Sequence, residues 1–396
     1  MIRLCSIKFK LYPNKEQELL FNKTVGCCRF VYNQCLARKI KIYKETGKSP
    51  SAYDLMQELT KIKKRSKYSF LQEVQATALR CSLLDLEQAF KNFFKHSKGF
   101  PNFKAKGKCK ESFRVANSAV SIDVAIQDGK VKVGKYGYVR ARGSFDLYDN
   151  ERIQSVTVVK ESDGNWYASV LIVKDTTIKD HVHKYESCGI DLGIKKPVVI
   201  AYENQSTIQV SSTGNKFSKR LKELERKRIK YQRAYNRKRK GSNNQSKARR
   251  KVSKVFHREK QCRKDWIEKT THTIASQCRV VVVEDLNLKG MTKSSKGTVE
   301  NPGKNVAAKS GLNRELTRLG LGILLTRLEQ KVHKYQGIFI RVDPKYTSQT
   351  CNRCGCIDKR NRVSQSKFHC VSCGYTDNAD YNAARNIRQK GIRMAA

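Results

Sequence analysis

Residues 188–193 read Cys-Gly-Ile-Asp-Leu-Gly, an apolar strand with one carboxylate, Asp191, in its middle. A buried carboxylate is costly unless a cation or a base partners it. Residues 280–284 read Val-Val-Val-Val-Glu, an apolar run typical of a central strand covered on both faces, and they end at Glu284. Asp380 begins Asp-Tyr-Asn-Ala-Ala-Arg-Asn-Ile, which predicts the first turn of a terminal helix. The pattern therefore predicts an α/β domain with acids at the ends of its elements.

Three converging carboxylates can hold two Mg²⁺ ions about 4 Å apart. One ion activates a water and the other stabilises the leaving oxygen at a phosphodiester. We therefore predict Asp191, Glu284 and Asp380 as both the catalytic and the magnesium-binding residues. The alternative is that each acid caps a helix or pairs with a base in this basic chain.

Two neighbouring acids and two amides compete with this assignment. Asp285 follows Glu284 and is predicted to point to the opposite face of the strand, and Asp377 could cap the terminal helix. Asn382 and Asn386 lie one and two turns into that helix. Either amide could orient a ligand or a water, or could lie on the helix surface.

Two Cys-x-x-Cys-Gly knuckles lie near the end of the chain, with fifteen residues between Cys354 and Cys370. This spacing supplies four thiolates for one tetrahedral zinc ion. Four protein ligands close the site, so the predicted zinc is structural. Cys356 and His369 are neighbours that the pattern leaves out of the ligand set. The predicted zinc ligands are Cys351, Cys354, Cys370 and Cys373.

The charge of the whole chain points to a polyanionic partner. Its 396 residues contain 82 Lys and Arg against 35 Asp and Glu, a formal charge of +47. Such an excess excludes a typical metabolic enzyme and favours nucleic acid. Apolar residues make up 39%, enough for packed cores. No run of about 18 apolar residues predicts a membrane span, and the first residues lack the pattern of a signal peptide, so we expect a cytoplasmic, nucleoid-associated protein.

The strongest local charge lies in residues 216–264, where 22 Lys or Arg face three glutamates. A helical apolar stripe and a polar break at 241–246 predict two antiparallel helices. Like charges one turn apart destabilise a helix, and a bound polyanion relieves that repulsion, although such a run can also be a solvated face. The predicted nucleic-acid contacts are Arg237, Lys238, Arg239, Lys240, Arg249, Arg250 and Lys251.

The N-terminal half predicts a different architecture. A strand over 3–12 is followed by Asn14 and Gln17, a capping-box pair that begins a helix ending at Gly47. A second helix carries a stripe of five apolar residues, and Asp163-Gly164 marks a hairpin within a β-rich module at 112–180. In the second half we predict a helix over about 314–335. The five stripe residues are Leu79, Leu83, Leu86, Phe90 and Phe93.

Other enzyme classes are disfavoured by missing motifs. The sequence contains no GxxxxGK[ST] phosphate loop and no HExxH pair. A helicase motor and a metalloprotease both depend on such motifs.

Several short motifs, taken together and in order, resemble the TnpB proteins encoded by insertion sequences, which are relatives of the type V CRISPR nucleases. The resemblance covers nearly the whole chain. Asp380 matches the family's third acid, but Asn378-Ala-Asp380 departs from a common Asp-Arg-Asp, which affects a flanking contact only. The motifs are Phe9-Lys-Leu-Tyr-Pro, Gly26-Cys-Cys-Arg-Phe-Val-Tyr-Asn, Gly189-Ile-Asp-Leu-Gly-Ile, Val283-Glu-Asp-Leu-Asn-Leu, Tyr346-Thr-Ser-Gln-Thr-Cys-Asn-Arg-Cys-Gly and Asp380-Tyr-Asn-Ala-Ala-Arg-Asn-Ile.

The resemblance implies a multidomain α+β and α/β fold. Its parts are an N-terminal wedge β-barrel, a helical recognition domain, a RuvC-like RNase H fold and an inserted zinc ribbon. The implied domains are 1–12 with 100–185 for the barrel, 13–99 for the recognition domain, 186–346 with 376–396 for the nuclease, including the basic hairpin 216–264, and 347–375 for the ribbon.

The resemblance also implies RNA-guided cleavage of double-stranded DNA by two Mg²⁺ ions, with one structural Zn²⁺. The guide RNA is expected to come from the end of the transposable element, and a monomer is favoured. Three alternatives remain open. The chain could be a catalytically silent repressor or transposition accessory protein, a zinc-ribbon RNA-binding scaffold, or an unguided structure-selective nuclease.

Overall fold

The computed structural model forms two compact units, residues 1–178 and 179–396. No helix in the described part of the chain is long and apolar enough to cross a membrane. The structure describes residues 2–96, 98–118, 121–143, 152–175, 181–194, 196–204, 208–210 and 212–395.

Seven strands of the first unit form one antiparallel sheet. They are β1 (Ile2–Tyr12), β2 (Glu111–Ala116), β3 (Ile126–Gln127), β4 (Lys130–Lys132), β5 (Tyr138–Arg142), β6 (Arg152–Lys160) and β7 (Trp166–Asp175). Their order is β2-β6-β7-β1-β5-β4-β3. The predicted hairpin is confirmed, because β6 pairs with β7 and Gly164 adopts a φ of 86° in the turn. In the described residues the edge strands β2 and β3 do not pair with each other, so closure into a barrel stays a prediction.

Three helices pack with this sheet: α1 (Lys15–Thr46), α2 (Ala52–Ile62) and α3 (Ala76–His96). The capping box at the start of α1 is confirmed, with Asn14 and Gln17 each accepting from the other's backbone N–H. The helix ends at Gly47 in the left-handed conformation, as predicted. Leu79, Leu83 and Leu86 of α3 are buried, which confirms that the stripe faces a core.

A five-stranded mixed sheet forms the centre of the second unit. Its strands are β8 (Tyr185–Asp191), β9 (Val199–Tyr202), β10 (Ile208–Val210), β11 (Cys278–Glu284) and β12 (Ile338–Val342). The order is β10-β9-β8-β11-β12; β11 pairs in parallel with β8 and β12, and β9 pairs antiparallel with both β8 and β10. A separate pair, β13 (Lys367–His369) and β14 (Thr376–Asn378), lies near the cysteine knuckles.

Helices cover both faces of this sheet. They are α4 (Ser212–Asn236), α5 (Asn243–Gln277), α6 (Leu288–Met291), α7 (Val306–Leu319), α8 (Leu321–Lys334) and α9 (Ala379–Ala395). Val281 and Val283 of β11 pack with the core that contains α4, α5, α7 and α8. Val280 and Val282 pack with Ile387 of α9 on the opposite face. The apolar run of β11 is therefore a central strand buried on both sides, as predicted.

The predicted helix over 314–335 is wrong in its extent. The structure has two helices, α7 and α8, separated at Gly320. Gly320 adopts a φ of 73°, a left-handed conformation that ends an α-helix. The apolar spacing continues across the break because Leu319 and Leu321 are both buried, so periodicity alone did not reveal it.

Candidate functional site

Two of the predicted acids end neighbouring parallel strands. Asp191 is the last residue of β8 and Glu284 is the last residue of β11. The register pairs Val283 with Ile190, so the two acids follow one another at the same edge of the sheet. Parallel strands bring their carboxyl ends to one edge, which is where ligands bind in α/β folds.

The third acid reaches this edge through the packing of α9. Asp380 lies in the first turn of α9. An added Cβ at Gly189 would lie 2.2 Å from the carbonyl oxygen of Ala384 and 2.5 Å from the backbone nitrogen of Arg388. A glycine at position 189 therefore lets the helix backbone lie directly on β8, one turn beyond Asp380.

Burial and neighbouring charges shift the pKa values of two of the three acids, Asp191 and Glu284. Burial, and then the carboxylates of Glu284 and Asp380, together raise the pKa of Asp191 to about 7. Burial also raises the pKa of Glu284, which the Thr347 hydroxyl, Lys390 and Arg362 partly offset. The guanidinium of Arg362 lowers both pKa values.

Side chains that the sequence did not single out surround the acids. The Thr347 hydroxyl donates to Glu284 Oε1 over 2.6 Å. Lys196 Nζ lies 3.5 Å from Asp380 Oδ2. Thr347 falls within the quoted motif Tyr346-Thr-Ser-Gln-Thr, but neither Lys196 nor Arg362 had a signal beyond the general excess of bases.

The competing acids have other partners. Asp285 is exposed and lies 3.6 Å from Arg341 Nη1, which agrees with its predicted opposite orientation. Asp377 accepts from Arg385 over 2.9 Å and from the Tyr375 hydroxyl over 2.9 Å. The backbone N–H of Asp380 is instead satisfied by the side chain of Asn378, so the predicted cap at Asp377 is wrong.

The interpretation of Asn382 and Asn386 as helix-surface amides is wrong, and a role in orienting a ligand or a water stays a prediction. Each side chain is buried rather than on the helix surface. Both amides donate to the carbonyl of Thr350, Asn386 also donates to the carbonyl of Thr347, and the Asn382 oxygen accepts from the backbone N–H of Asn352. These amides therefore fasten the segment before the knuckles to α9.

The four predicted zinc ligands form one cluster. All four Sγ atoms lie within 4.8 Å of one another. The Sγ atoms of Cys351 and Cys373 are 3.7 Å apart, and those of Cys354 and Cys370 are 3.5 Å apart. A tetrahedral ion with bonds of about 2.3 Å to sulfur requires edges of roughly 3.8 Å. The cluster therefore has the size and donor chemistry to hold one zinc ion.

The backbone of each knuckle makes the same turn. Gly355 donates to the carbonyl of Cys351 and Gly374 to that of Cys370, with φ values of 78° and 70°. Glycine adopts such values without strain. Although burial raises the pKa of the Cys370 thiol, the N–H groups of Cys373 and Ser372 outweigh it and bring that pKa to about 6. At Cys370 the thiolate form, which binds metals, is thereby favoured, whereas burial raises the pKa of Cys351 to about 12.

Asn361 joins the two knuckles. Its side chain is fully buried, donates to the carbonyls of Gln349 and Cys356, and accepts from the backbone N–H of Val371. Cys356 and His369 stay outside the four-sulfur cluster.

The basic stretch 216–264 lies in two antiparallel helices, as predicted, and the second helix continues to Gln277. Phe217, Leu221 and Leu224 of α4 are buried against the core. All seven predicted contact residues are exposed, and none has an ion-pair partner among the described residues. They lie in the turn between α4 and α5 and in the first turns of α5.

The chain is similar to known proteins over its whole length. Residues 1–48 match a family model described as a helix-turn-helix domain, 170–295 one described as a probable transposase, and 322–387 one described as a Cas12f1-like TNB domain. A relative from Escherichia coli K12, the putative RNA-guided DNA endonuclease InsQ, is 37% identical over all of this chain and 94% of its own length. The TnpB-like protein L79 of Acanthamoeba polyphaga mimivirus is 28% identical over 61% of this chain and 44% of its own.

The chain belongs to the TnpB family. A second TnpB relative, a putative RNA-guided DNA endonuclease from Streptomyces pristinaespiralis, is 29% identical over 99% of this chain and 90% of its own. The fold resembles the protein in a Cas12f1–sgRNA–target DNA complex, with a TM-score of 0.58, 15% identity and 98% of each chain covered. In this TnpB chain, the residues that match the helix-turn-helix model form a strand and one long helix, β1 and α1.

Proposed function

We propose that this TnpB protein is an RNA-guided DNA endonuclease of a transposable element, with Asp191, Glu284 and Asp380 as its catalytic residues. One observation carries the proposal. Asp191 is a partly buried carboxyl whose pKa is raised to about 7 by burial and then by the two other acids. Mutually repelling, partly buried carboxylates are the arrangement that a bound cation stabilises.

The donor set of this site fits magnesium. Mg²⁺ prefers carboxylate oxygens, and three carboxylates from two strand ends and a helix end can supply them. When bound, two such ions activate a water and stabilise the leaving oxygen of a phosphodiester. The protein itself holds the carboxylates in place. The Thr347 hydroxyl orients Glu284 through a hydrogen bond, and Lys196 forms an ion pair with Asp380.

We also propose a domain organisation for the chain. A mixed five-stranded sheet with helices on both faces supports a RuvC-like nuclease formed by 186–346 and 376–396. The four-cysteine cluster supports a structural zinc ribbon at 347–375, although β14 continues its small sheet to Asn378. The seven-stranded sheet and α1 to α3 support the wedge and recognition domains of the N-terminal unit.

The basic hairpin supports nucleic-acid partners. A guide held as a heteroduplex is bound through its backbone, which requires broad positive surface rather than base-reading side chains. The exposed and unpaired cations between α4 and α5 provide such a surface. We propose that they contact the guide RNA or the target DNA.

The test begins with protein purified from cells that carry the whole element, so that any bound RNA can be sequenced. DNA that matches the recovered RNA is then incubated with the complex and Mg²⁺. We expect wild type to cut, and Asp191→Asn to bind the same RNA without cutting. Asp285→Asn is the matched control, since this neighbouring acid is exposed and paired with Arg341, and it should cut like wild type.

The alternatives give different results in the same assay. A silent repressor binds matched DNA but does not cut it even as wild type. An RNA-binding scaffold retains RNA and ignores the DNA. An unguided nuclease cuts branched DNA after its RNA is removed. Cleavage by Asp191→Asn at the wild-type rate would show that the catalytic assignment is wrong.

A further inference from the structure

A cavity of about 380 Å³ lies where α4 and α5 meet α7. Its volume falls within the range of small-molecule sites, roughly 300–1,000 Å³. We propose that this cavity binds the base of one unpaired nucleotide from a nucleic acid held by the hairpin. The inference rests on the proposed nucleic-acid function and adds to it a defined base-binding site away from the three acids.

An exposed aromatic ring supplies a stacking surface. Phe256 is 48% exposed although it lies on the cavity wall. The Arg228 guanidinium lies 5.2 Å from the centroid of this ring and is held by Glu225 and Glu259 over 3.4 and 3.3 Å. Leu221 adds an apolar wall. Aromatic rings and guanidinium planes are the two side-chain surfaces on which unpaired bases stack.

Asn313 lines the cavity and carries a buried hydrogen-bond acceptor that has no partner among the described residues. Asn313 Nδ2 donates to the carbonyls of Thr292 and Lys293, which fixes the orientation of the amide. Its Oδ1 atom is buried and has no partner among the residues that the structure describes. A buried acceptor of this kind costs roughly 1–3 kcal/mol if it stays unsatisfied.

The same helix, α7, also carries a hydrogen-bond donor without a partner among the described residues. Arg318 Nε and Nη2 both bond to Glu315 Oε2, and the side chain is only 10% exposed. Its Nη1 atom is buried and unpartnered within the described part of the chain. Base edges carry both donors and acceptors, so one base can satisfy Asn313 and Arg318, which an apolar ligand cannot.

The charges around the cavity fit a nucleotide rather than a cation. Four arginines and two glutamates line it, so the wall has a positive excess that tolerates the attached phosphates. The charged residues are Arg228, Arg263, Arg314, Arg318, Glu225 and Glu259.

The experiment compares two strands that differ only in their bases. The protein is stripped of nucleic acid at high salt, and its affinity is measured without divalent metal for a short single strand and for an abasic strand of equal length. Phe256→Leu should weaken binding of the base-bearing strand about 5-fold or more, the range expected for one stacked base. Binding of the abasic strand should not change. Running the assay with DNA and with RNA identifies which strand supplies the nucleotide.

Arg318→Lys gives a second, independent test. The lysine keeps the charge and can keep the contact with Glu315, but it lacks Nη1, so the same selective loss is expected. Ile323→Ala and Arg327→Lys are the controls. Ile323 is 61% exposed, Arg327 pairs with Glu268, and both lie on α8 outside the cavity. The controls should leave both affinities unchanged.

Equal losses on both strands, or no loss with either DNA or RNA, would overturn the proposal. Because cleavage is not measured, the outcome does not depend on the three acids. A failure here leaves the proposed nuclease intact, and a non-cutting wild type leaves this test intact.

Discussion

Thr347 Oγ1 lies 2.6 Å from Glu284 Oε1. This contact joins the segment that leads into the four-cysteine domain to the acid at the end of β11. Asn386 donates to the carbonyl of the same Thr347, so the hydroxyl is positioned from α9, the helix that carries Asp380. One short segment therefore connects the cysteine domain to two of the three acids.

Thr347→Val should weaken metal binding at the acids. Valine keeps the shape of threonine but removes the donor, and a hydrogen bond to a charged group contributes about 1.5–3 kcal/mol. The pKa of Glu284 should rise, because the hydroxyl lowers it. We expect the Mg²⁺ concentration needed for half-maximal thermal stabilisation to increase roughly 10-fold or more.

Thr350→Val is the control for this change. Its hydroxyl donates only to the carbonyl of Tyr346, and its carbonyl contacts with the two asparagines persist. Equal Mg²⁺ dependence in the Thr347 and Thr350 variants would contradict a role for the Thr347 hydroxyl at Glu284.

The cysteine cluster should bind one zinc ion per chain. Cys354→Ser removes one of four ligands whose sulfur atoms lie within 4.8 Å of one another, so metal analysis should show the zinc content falling well below one. Proteolysis should then cut within 347–375, because the bound metal supplies much of the folding free energy of such a small domain. Cys356→Ser removes a thiol outside the cluster and should retain the metal; zinc loss in both variants would mean that the ligand set is wrong.

Much of this site could be predicted because its signals are local. The cysteine spacing, the apolar run around Asp191, the run that ends at Glu284, and the capping box at Asn14 each depend on residues a few positions apart. Local patterns of this kind reflect backbone geometry, which sequence spacing reports directly. The knuckles and most strands therefore appear where they were predicted, although the strand predicted over 188–193 with Asp191 in its middle is β8, which spans Tyr185–Asp191 and ends at that acid.

The rest depends on contacts between distant segments. Asn382 and Asn386 read as surface or ligand-orienting amides, and only the folded chain shows them holding Thr350 from more than 30 positions away. The effect of Arg362 on two acids has the same origin. The break at Gly320 was visible as a glycine, but the buried leucines on each side continued the helical spacing.

The basic hairpin should contribute to the salt dependence of nucleic-acid binding. Changing Arg237, Lys238, Arg239 and Lys240 together to Gln removes four exposed and unpaired charges. Each lost phosphate contact reduces the magnitude of the slope of log K against log salt by about 0.7–0.9, so losing four contacts should reduce it by up to about 3.6. A variant with Arg237→Lys and Arg239→Lys keeps the charge and should keep the slope. An unchanged slope in the Gln variant would remove this surface from the interface.

Asp191 should make the metal-free protein less stable as the pH rises. Its pKa is about 7 in the folded chain and about 3.9 when unfolded. The folded state therefore retains a proton that the unfolded state has released, and the free energy of unfolding falls between about pH 4 and pH 7, by at most on the order of 4 kcal/mol. Asp191→Asn removes this titration, so in EDTA its melting temperature should decline less with pH than that of wild type.

Magnesium should reverse this loss of stability at high pH. At a pH above 7, Asp191 is ionised and repelled by Glu284 and Asp380, so added Mg²⁺ should raise the melting temperature of wild type and should raise that of Asp191→Asn much less. Asp285→Asn, which changes an exposed acid paired with Arg341, should follow wild type in both measurements. If the Asp191 and Asp285 variants show the same pH slope and the same response to Mg²⁺, the buried carboxyl is not the group that the metal stabilises, and the three acids do not form a metal site.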